Sequence, residues 1–234
     1  MMLDDYEAAL DDHLTDSEYV RRFIPIVPFL GEVLGKTSEV VLHDVARLDA
    51  SVIAIANGEN SGRTIGAPAT DLVLRMLRDG RAHTDDYVTG YRASADGGGK
   101  FFRSATYFFR RHGRVVAMLC INTDDSLLEQ LIGLAGKIGE RHLPGITTEL
   151  EDSQWQENLA TSAEEIAVTA TQREIERRGV PLGDFTPADR QEVVAALENE
   201  GIFRLKGAVA DVADALEVSV PTVYRCLRTA RRPK

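Results

Sequence analysis

Residues 207–232, GAVADVADALEVSVPTVYRCLRTARR, read as two short helices joined by a tight turn. Val209, Val212, Ala213 and Leu216 recur at the spacing of one helix face, and the small Ala213 permits a second helix to approach closely. Val218 is apolar within the turn and can plug the junction. Ser219 is a favourable capping residue for the next helix, and Pro221 is tolerated in a first turn. Val223 and Leu227 face inward, which leaves Pro221, Thr222, Arg225 and Arg228 outside. Short polar groups followed by arginines are what a recognition helix presents to base edges in a major groove. Tyr224, Arg231, Arg232 and Lys234 suit backbone phosphates. The stretch predicts a helix-turn-helix directed at double-stranded DNA through Ser219, Pro221, Thr222, Tyr224, Arg225, Arg228, Arg231 and Arg232. A plain helical hairpin with solvated arginines is the competing reading. Glu217 stands where many such turns place Gly.

The charge distribution fits that expectation better than the total does. The chain of 234 residues carries a net charge of −10. From Arg204 to Lys234, seven basic residues face three acids, so this end is +4 and the remainder −14. A basic end on an acidic body is expected where one unit meets phosphate and the other does not. Hydrophobic residues make up 44%, enough for real cores. The start, MMLDDYEAALDD (1–12), is acidic and lacks the pattern of an export signal. The apolar run at 23–30 is too short for a membrane span and holds Pro25 and Pro28. With two dispersed cysteines, Cys120 and Cys226, no disulfide framework is expected, and a cytoplasmic setting is the default.

Upstream, residues 17–34 read as an amphipathic helix that the prolines break. EVVLHDV (39–45) and SVIAIAN (51–57) have the β-branched composition of short strands. Asp71–Arg78 reads as a helix, and Tyr87–Ala95 leads to the turn DGGG (96–99). KFFRSATYFFRR (100–111) and RVVAMLCIN (114–122) are strands joined at His112-Gly113. Residues 124–139 form a further helix, with Leu127, Leu131, Leu134 and Ile138 expected in the core or along a dimer seam. A polar stretch at 141–161, holding Trp155, reads as a linker. Ser162 with Glu165, and Thr186 with Asp189, open two further helices that Gly179 and Gly201 end. The fold class is α+β: an antiparallel sheet with helices, then an all-α unit.

Strand alternation places Met118, Cys120 and Asn122 on one face and Val115, Ala117, Leu119 and Ile121 on the other. It likewise groups Ser51, Ile53, Ile55 and Asn57, and Ser104, Thr106 and Phe108. Polar groups at the ends of otherwise apolar strands mark candidates for binding a small molecule: His43, Asp44, Asn57, Ser104, Cys120 and Asn122. As a set they suit a polar metabolite such as an amino acid. Taken singly, each also fits a turn or strand-end role.

Three blocks resemble the YheO-like PAS domain: EVVLHDV (39–45), SVIAIANGENSGRTIGAPATDL (51–72) and RSATYFFRRHGRVVAMLCINTD (103–124). GIFRLKGAVADVADALEVSVPTVYRCL (201–227) resembles the helix-turn-helix domain that accompanies it. The combination is similar to the YheO-like transcriptional regulators. The resemblance implies a PAS-like sensor at 1–140, a linker at 141–161 and a DNA-binding domain at 162–234. It further implies an effector-binding sensor and action on promoters as an oligomer, and a homodimer is expected because one helix-turn-helix touches few bases.

Other chemistries find less support. His43-Asp44 lie on adjacent, oppositely facing strand positions, and no Gly-x-Ser-x-Gly elbow exists, so a hydrolase triad is not expected. Gly58, Gly62 and Gly66 match no nucleotide-binding fingerprint and suit turns. The dispersed histidines predict no zinc site. Neither a metal nor a cofactor is expected, nor an enzyme. The alternative function is a sensor or adaptor whose C-terminal helices bind a protein in place of DNA.

Overall fold

Strand β1 (Ser38–Asp44) is buried along its whole length, because a strand flanked on both edges and covered on both faces has nowhere to show a side chain to water. The computed structural model describes residues 13–78, 85–95, 100–142 and 156–231. The turn at 96–99, Trp155, Arg232, Lys234 and most of the expected linker fall outside these residues.

The elements preceding and following β1 are α1 (Asp16–Arg21), α2 (Ile26–Leu34), β2 (Val52–Ala56), α3 (Asp71–Arg78), β3 (Tyr87–Ala95), β4 (Lys100–Arg111), β5 (Arg114–Thr123) and α4 (Ser126–His142). Then come β6 (Gln156–Asn158), α5 (Ala163–Arg178), α6 (Pro187–Glu200), α7 (Ala208–Ala215) and α8 (Val220–Ala230). The sheet order is β2-β1-β5-β4-β3-β6, and every pairing is antiparallel except that of β3 with β6. The α+β class read from the sequence holds. The break between α1 and α2 falls at Pro25, and His112 and Gly113 form the β4–β5 turn, both with positive φ.

Two bulges redistribute the faces. His43 pairs with Val52 and Leu42 with Ala54, so Ile53 is the extra residue. Phe109 pairs with Ala117 and Arg110 with Val115, so Val116 is extra there. A one-residue insertion reverses the alternation beyond it. Ile53 therefore packs in the outer layer while Ile55 packs in the inner one, and Val115 joins the inner core, separate from Ala117. The groupings expected from strict alternation fail at those two places.

The outer layer, under α1 and α2, is apolar: Val40, Leu42, Ala54, Val116 and Ala117, with Leu119 and Ile121 against them. The inner face meets α3 and the C-terminal helices. Leu72, Leu74 and Met76 of α3 share one core with Ile166, Ala167, Val193, Leu197, Ile202 and Leu216. Asp71 ties the halves by polar contacts too, accepting from Arg75 at 3.2 Å and from Arg173 at 3.1 Å, while Arg173 also pairs with Glu200. Residues 156–158, expected in the linker, instead pair along the sheet edge.

In α4, Leu127, Leu131 and Leu134 are 71%, 63% and 57% exposed. The expectation that they enter the core is corrected: this helix turns its leucines outward, and the side chain of Ile138 is outside the described residues. No helix among the described residues is long and apolar enough to cross a membrane.

Candidate functional site

The C-terminal segment folds as two helices at a tight junction. Ala208, Val212, Ala213 and Leu216 are buried on α7, and Val223, Cys226 and Leu227 on α8. The turn between them is a Schellman motif: the Glu217 N–H donates to Asp214 O at 3.1 Å and the Val218 N–H to Ala213 O at 2.9 Å. Glu217 holds the left-handed position with φ 53°, which explains why Gly is common there. Ser219 sits at the N-cap of α8, but its hydroxyl pairs with the Thr222 hydroxyl at 3.0 Å and caps no backbone N–H.

The outer face of α8 carries Pro221, Tyr224, Arg225 and Arg228, all exposed, with Thr222 half-buried. Among the described residues no carboxylate pairs with Arg225 or Arg228. Arg231 differs: its Nε and Nη2 donate to the two Glu198 oxygens at 2.9 and 3.2 Å. That pairing pushes its pKa up and engages the guanidinium within the protein.

The second assembly is buried. The register aligns Glu39 with Asn122, Val41 with Cys120 and His43 with Met118. It aligns Ser104 with Asn122 and Thr106 with Cys120. Thus His43, Ser104, Cys120 and Asn122 of the sequence candidates share the inner face. Asn122 accepts from the Ser104 hydroxyl at 2.8 Å and donates to Glu39 Oε1 at 2.9 Å. The Ser61 hydroxyl donates to the other Glu39 oxygen. Cys120 Sγ lies 3.2 Å from Thr106 Oγ1, which in turn meets the Tyr91 hydroxyl at 2.8 Å.

The other two candidates are elsewhere. Asp44, beyond the last inner position of β1, accepts from the Ser17 hydroxyl at 2.6 Å and the Ala46 N–H at 2.9 Å. Asn57, in the left-handed conformation with φ 56°, donates to the carbonyls of Ser38 at 2.8 Å and Gly35 at 3.1 Å. Both hold turns in place and do not join the inner-face cluster.

Sequence reasoning missed Glu39, Ser61, Arg63, Thr70, Tyr91 and Glu157, all buried here. Arg63, 2% exposed, arrives on the loop after β2, where Gly62 and Gly66 take positive φ. Its Nη2 donates to Pro68 O at 2.7 Å. Glu157 arrives from β6, and its Oε1 accepts from the Thr70 hydroxyl at 2.5 Å. A signal existed for Arg63, which lies inside a family-like block, and for Glu39, a lone acid in an apolar strand. Glu157 sits in a polar stretch that gives no hint of a strand.

Burial governs the electrostatics. It raises the Glu39 carboxyl, against hydrogen bonds from Ser61 and Asn122 and the charges of Arg63 and Lys100. It raises Glu157 to about 7, helped by the Asp71 charge and opposed by Thr70 and Arg63. Burial, then the Arg63 charge, hold His43 well below its usual range, so this imidazole is neutral. Cys120 is pushed up to about 12, again mainly by burial, so it is a packed thiol and no thiolate. Three polar atoms here have no hydrogen-bond partner among the described residues: His43 Nε2, Arg63 Nε and Glu157 Oε2. Among those residues no cluster of three or more metal-ligating side chains occurs.

Residues 14–139 match the family of YheO-like PAS domains, and residues 168–228 match a helix-turn-helix domain family. The YheO protein of Escherichia coli is 33% identical over 216 residues, covering 92% of this chain and 85% of its own. A Haemophilus influenzae protein is 28% identical over 218 residues, 93% of each chain. The transcriptional regulator DauR of Pseudomonas aeruginosa is 28% identical over 193 residues, 82% of this chain and 84% of its own.

Proposed function

The chain belongs to the family that joins a YheO-like PAS domain to a helix-turn-helix domain, and from that premise we propose that it is a DNA-binding transcription regulator whose output is set by a small polar metabolite. The observation that carries the DNA half is the exposed face of α8, where Arg225 and Arg228 meet no carboxylate among the described residues, on a helix anchored by Val223 and Leu227. The relative named as a transcriptional regulator supports it. The buried polar cluster on the inner face supports the sensor half, since buried polar atoms are normally satisfied and three here have no partner among the described residues. The protein acts as a binding protein in the cytoplasm, without catalysis, and as a repressor.

Effector binding changes output only if the DNA-competent and incompetent arrangements bind the effector with different affinity. The shared core of α3 with α5 and α6 offers a route for that difference. A homodimer completes the reading. The exposed leucines of α4 form its seam, so that two α8 helices meet successive major grooves.

Fluorescence anisotropy with a duplex of about 30 base pairs tests the proposal. Affinity should drop steeply between about 50 and about 200 mM salt as counterions are released. Binding that ignores salt, or no binding at all, overturns the DNA reading and favours a protein partner for the C-terminal helices.

A further inference from the structure

The turn after β1 joins the two halves of the molecule, and its bonds make it rigid. Asp44 accepts from the Ala46 N–H at 2.9 Å through its side chain and from the Arg47 N–H at 3.3 Å through its carbonyl. The Ala50 N–H donates to Arg47 O at 3.0 Å. Leu48 is buried in the core that also holds Leu205 and Ala208, and its carbonyl accepts from the Ala69 N–H at 2.8 Å. Asp49 reaches across to the C-terminal helices, where its Oδ1 accepts from the Lys206 N–H at 2.7 Å. Lys206 directly precedes Gly207, the N-cap of α7. The turn is thus fastened to the sheet on one side and to the start of α7 on the other.

Arg47 has no part in that fastening beyond its backbone. It is exposed next to the buried Leu48, and its guanidinium meets no carboxylate among the described residues. The Lys206 ammonium is exposed in the same way and also meets none among them. Gly207 is exposed, takes φ 92° and supplies no side-chain cap to the first N–H groups of α7. A helix N-terminus with cations beside it favours phosphate. In a helix-turn-helix the first helix crosses the DNA backbone while the second enters the major groove, and α7 is that first helix.

We propose that Arg47 and Lys206 bind backbone phosphates flanking the groove that α8 enters, so that the sensor domain itself forms part of the DNA interface. This rests on the DNA reading above and extends it to a surface outside the helix-turn-helix. The contact carries no base preference, because it is made to phosphate. It does carry position. Arg47 keeps its place relative to α8 while Asp49 holds Lys206, so a sensor that shifts against α7 withdraws a phosphate contact. The opposing charge in the first turn of α7 is Asp211, whose carboxyl is raised by burial and by the charges of Glu164 and Asp214. It keeps the gain from each cation modest.

The test is fluorescence anisotropy on the intact chain with a random-sequence duplex of about 30 base pairs, over a series of salt concentrations. Arg47→Ala should weaken binding about three- to tenfold and lower the slope of log affinity against log salt by about 0.9 per chain. Lys206→Ala should act alike, while Arg47→Lys, which keeps the charge, should retain most of the affinity. Arg21→Ala is the control. Arg21 is also exposed, but it lies on α1 in the outer layer, so its loss removes the same charge from the other face of the sheet. It should change affinity less than twofold. All four variants should melt close to the wild type, because none of these side chains is buried. The inference is overturned if Arg47→Ala keeps the wild-type affinity and slope, or if it loses no more than Arg21→Ala; salt-dependent binding by the wild type then leaves the α8 reading standing. No salt-dependent binding by the wild type overturns both readings, so the two failures are distinguishable.

Discussion

Arg63 and Arg225 are the same side chain in opposite settings. Arg63 is 2% exposed and lies among two carboxylates, a neutral imidazole and a thiol. Arg225 is exposed on α8 and meets no carboxylate among the described residues. A buried guanidinium must be compensated inside the protein, because its desolvation is costly; an exposed one keeps its water until a phosphate or base displaces it. Arg63 is therefore bound up with stability, while Arg225 is available for recognition without being needed by the fold. Arg231 stands between them, exposed but held by Glu198.

The widest separation between the two settings should come from truncation. Arg63→Ala removes the Arg63 charge from Glu39 and Glu157, leaving Glu39 only that of Lys100, and leaves Pro68 O without its donor; removing one member of a buried charge set costs about 3–5 kcal/mol. Urea unfolding measures it, and a loss below about 1 kcal/mol would mean that Arg63 is solvated after all. The next effect is titration at Glu157. A carboxyl whose pKa is raised in the fold holds its proton more tightly folded than unfolded. Its stabilising contribution is complete below the ordinary value of 4.5 and is lost as pH rises through about 7. The swing is about 3 kcal/mol. The stability of the wild type relative to Glu157→Gln should fall by that amount between pH 4.5 and 8, and a flat difference would remove Glu157 from the buried class.

Smaller again are the displayed arginines. Arg225→Ala and Arg228→Ala should each cost about 1–3 kcal/mol in DNA affinity and leave unfolding free energy within about 0.5 kcal/mol. Arg231→Ala should cost less affinity than either, because its guanidinium already serves Glu198. Anisotropy on one duplex compares all three. Equal losses would erase the distinction between free and paired arginines.

The two settings were not equally legible in the sequence. The α8 face follows from local rules: helical period, a turn of fixed length and a capping residue, all within 207–232. The buried cluster depends on contacts that local rules do not carry. His43, Ser104, Cys120 and Asn122 stand out in the sequence as polar groups in otherwise apolar strands, and the strand pairing places them on one face. Arg63 was passed over because a loop residue has no period, and Glu157 because three strand residues in a polar stretch give no pattern to read. Asp44 and Asn57 lie apart from the cluster for a related reason: polar residues at strand ends have the same appearance whether they face inward or tie a turn. The bulges at Ile53 and Val116 are likewise invisible to strict alternation, since only pairing with a partner strand reveals an extra residue. Helix ends fared better, because Ser162, Thr186, Gly179 and Gly201 act through neighbouring backbone groups.

The smallest expected effect lies in the junction that aims α8. Glu217 takes φ 53°, a conformation that costs a side-chain-bearing residue about 1 kcal/mol. Glu217→Gly relieves that strain but frees the unfolded chain, so the gain should be about 0.5 kcal/mol. The two backbone hydrogen bonds of the turn, to Asp214 O and Ala213 O, involve no Glu217 side-chain atom and survive the change. Helix α8 should then keep its direction and DNA affinity should move less than twofold, although the substitution removes one negative charge close to the recognition helix. A larger rise in affinity with an unchanged melting temperature would mean that this charge, and not the turn geometry, is what Glu217 contributes. The carboxylate would then restrain phosphate binding on the same helix whose free arginines promote it.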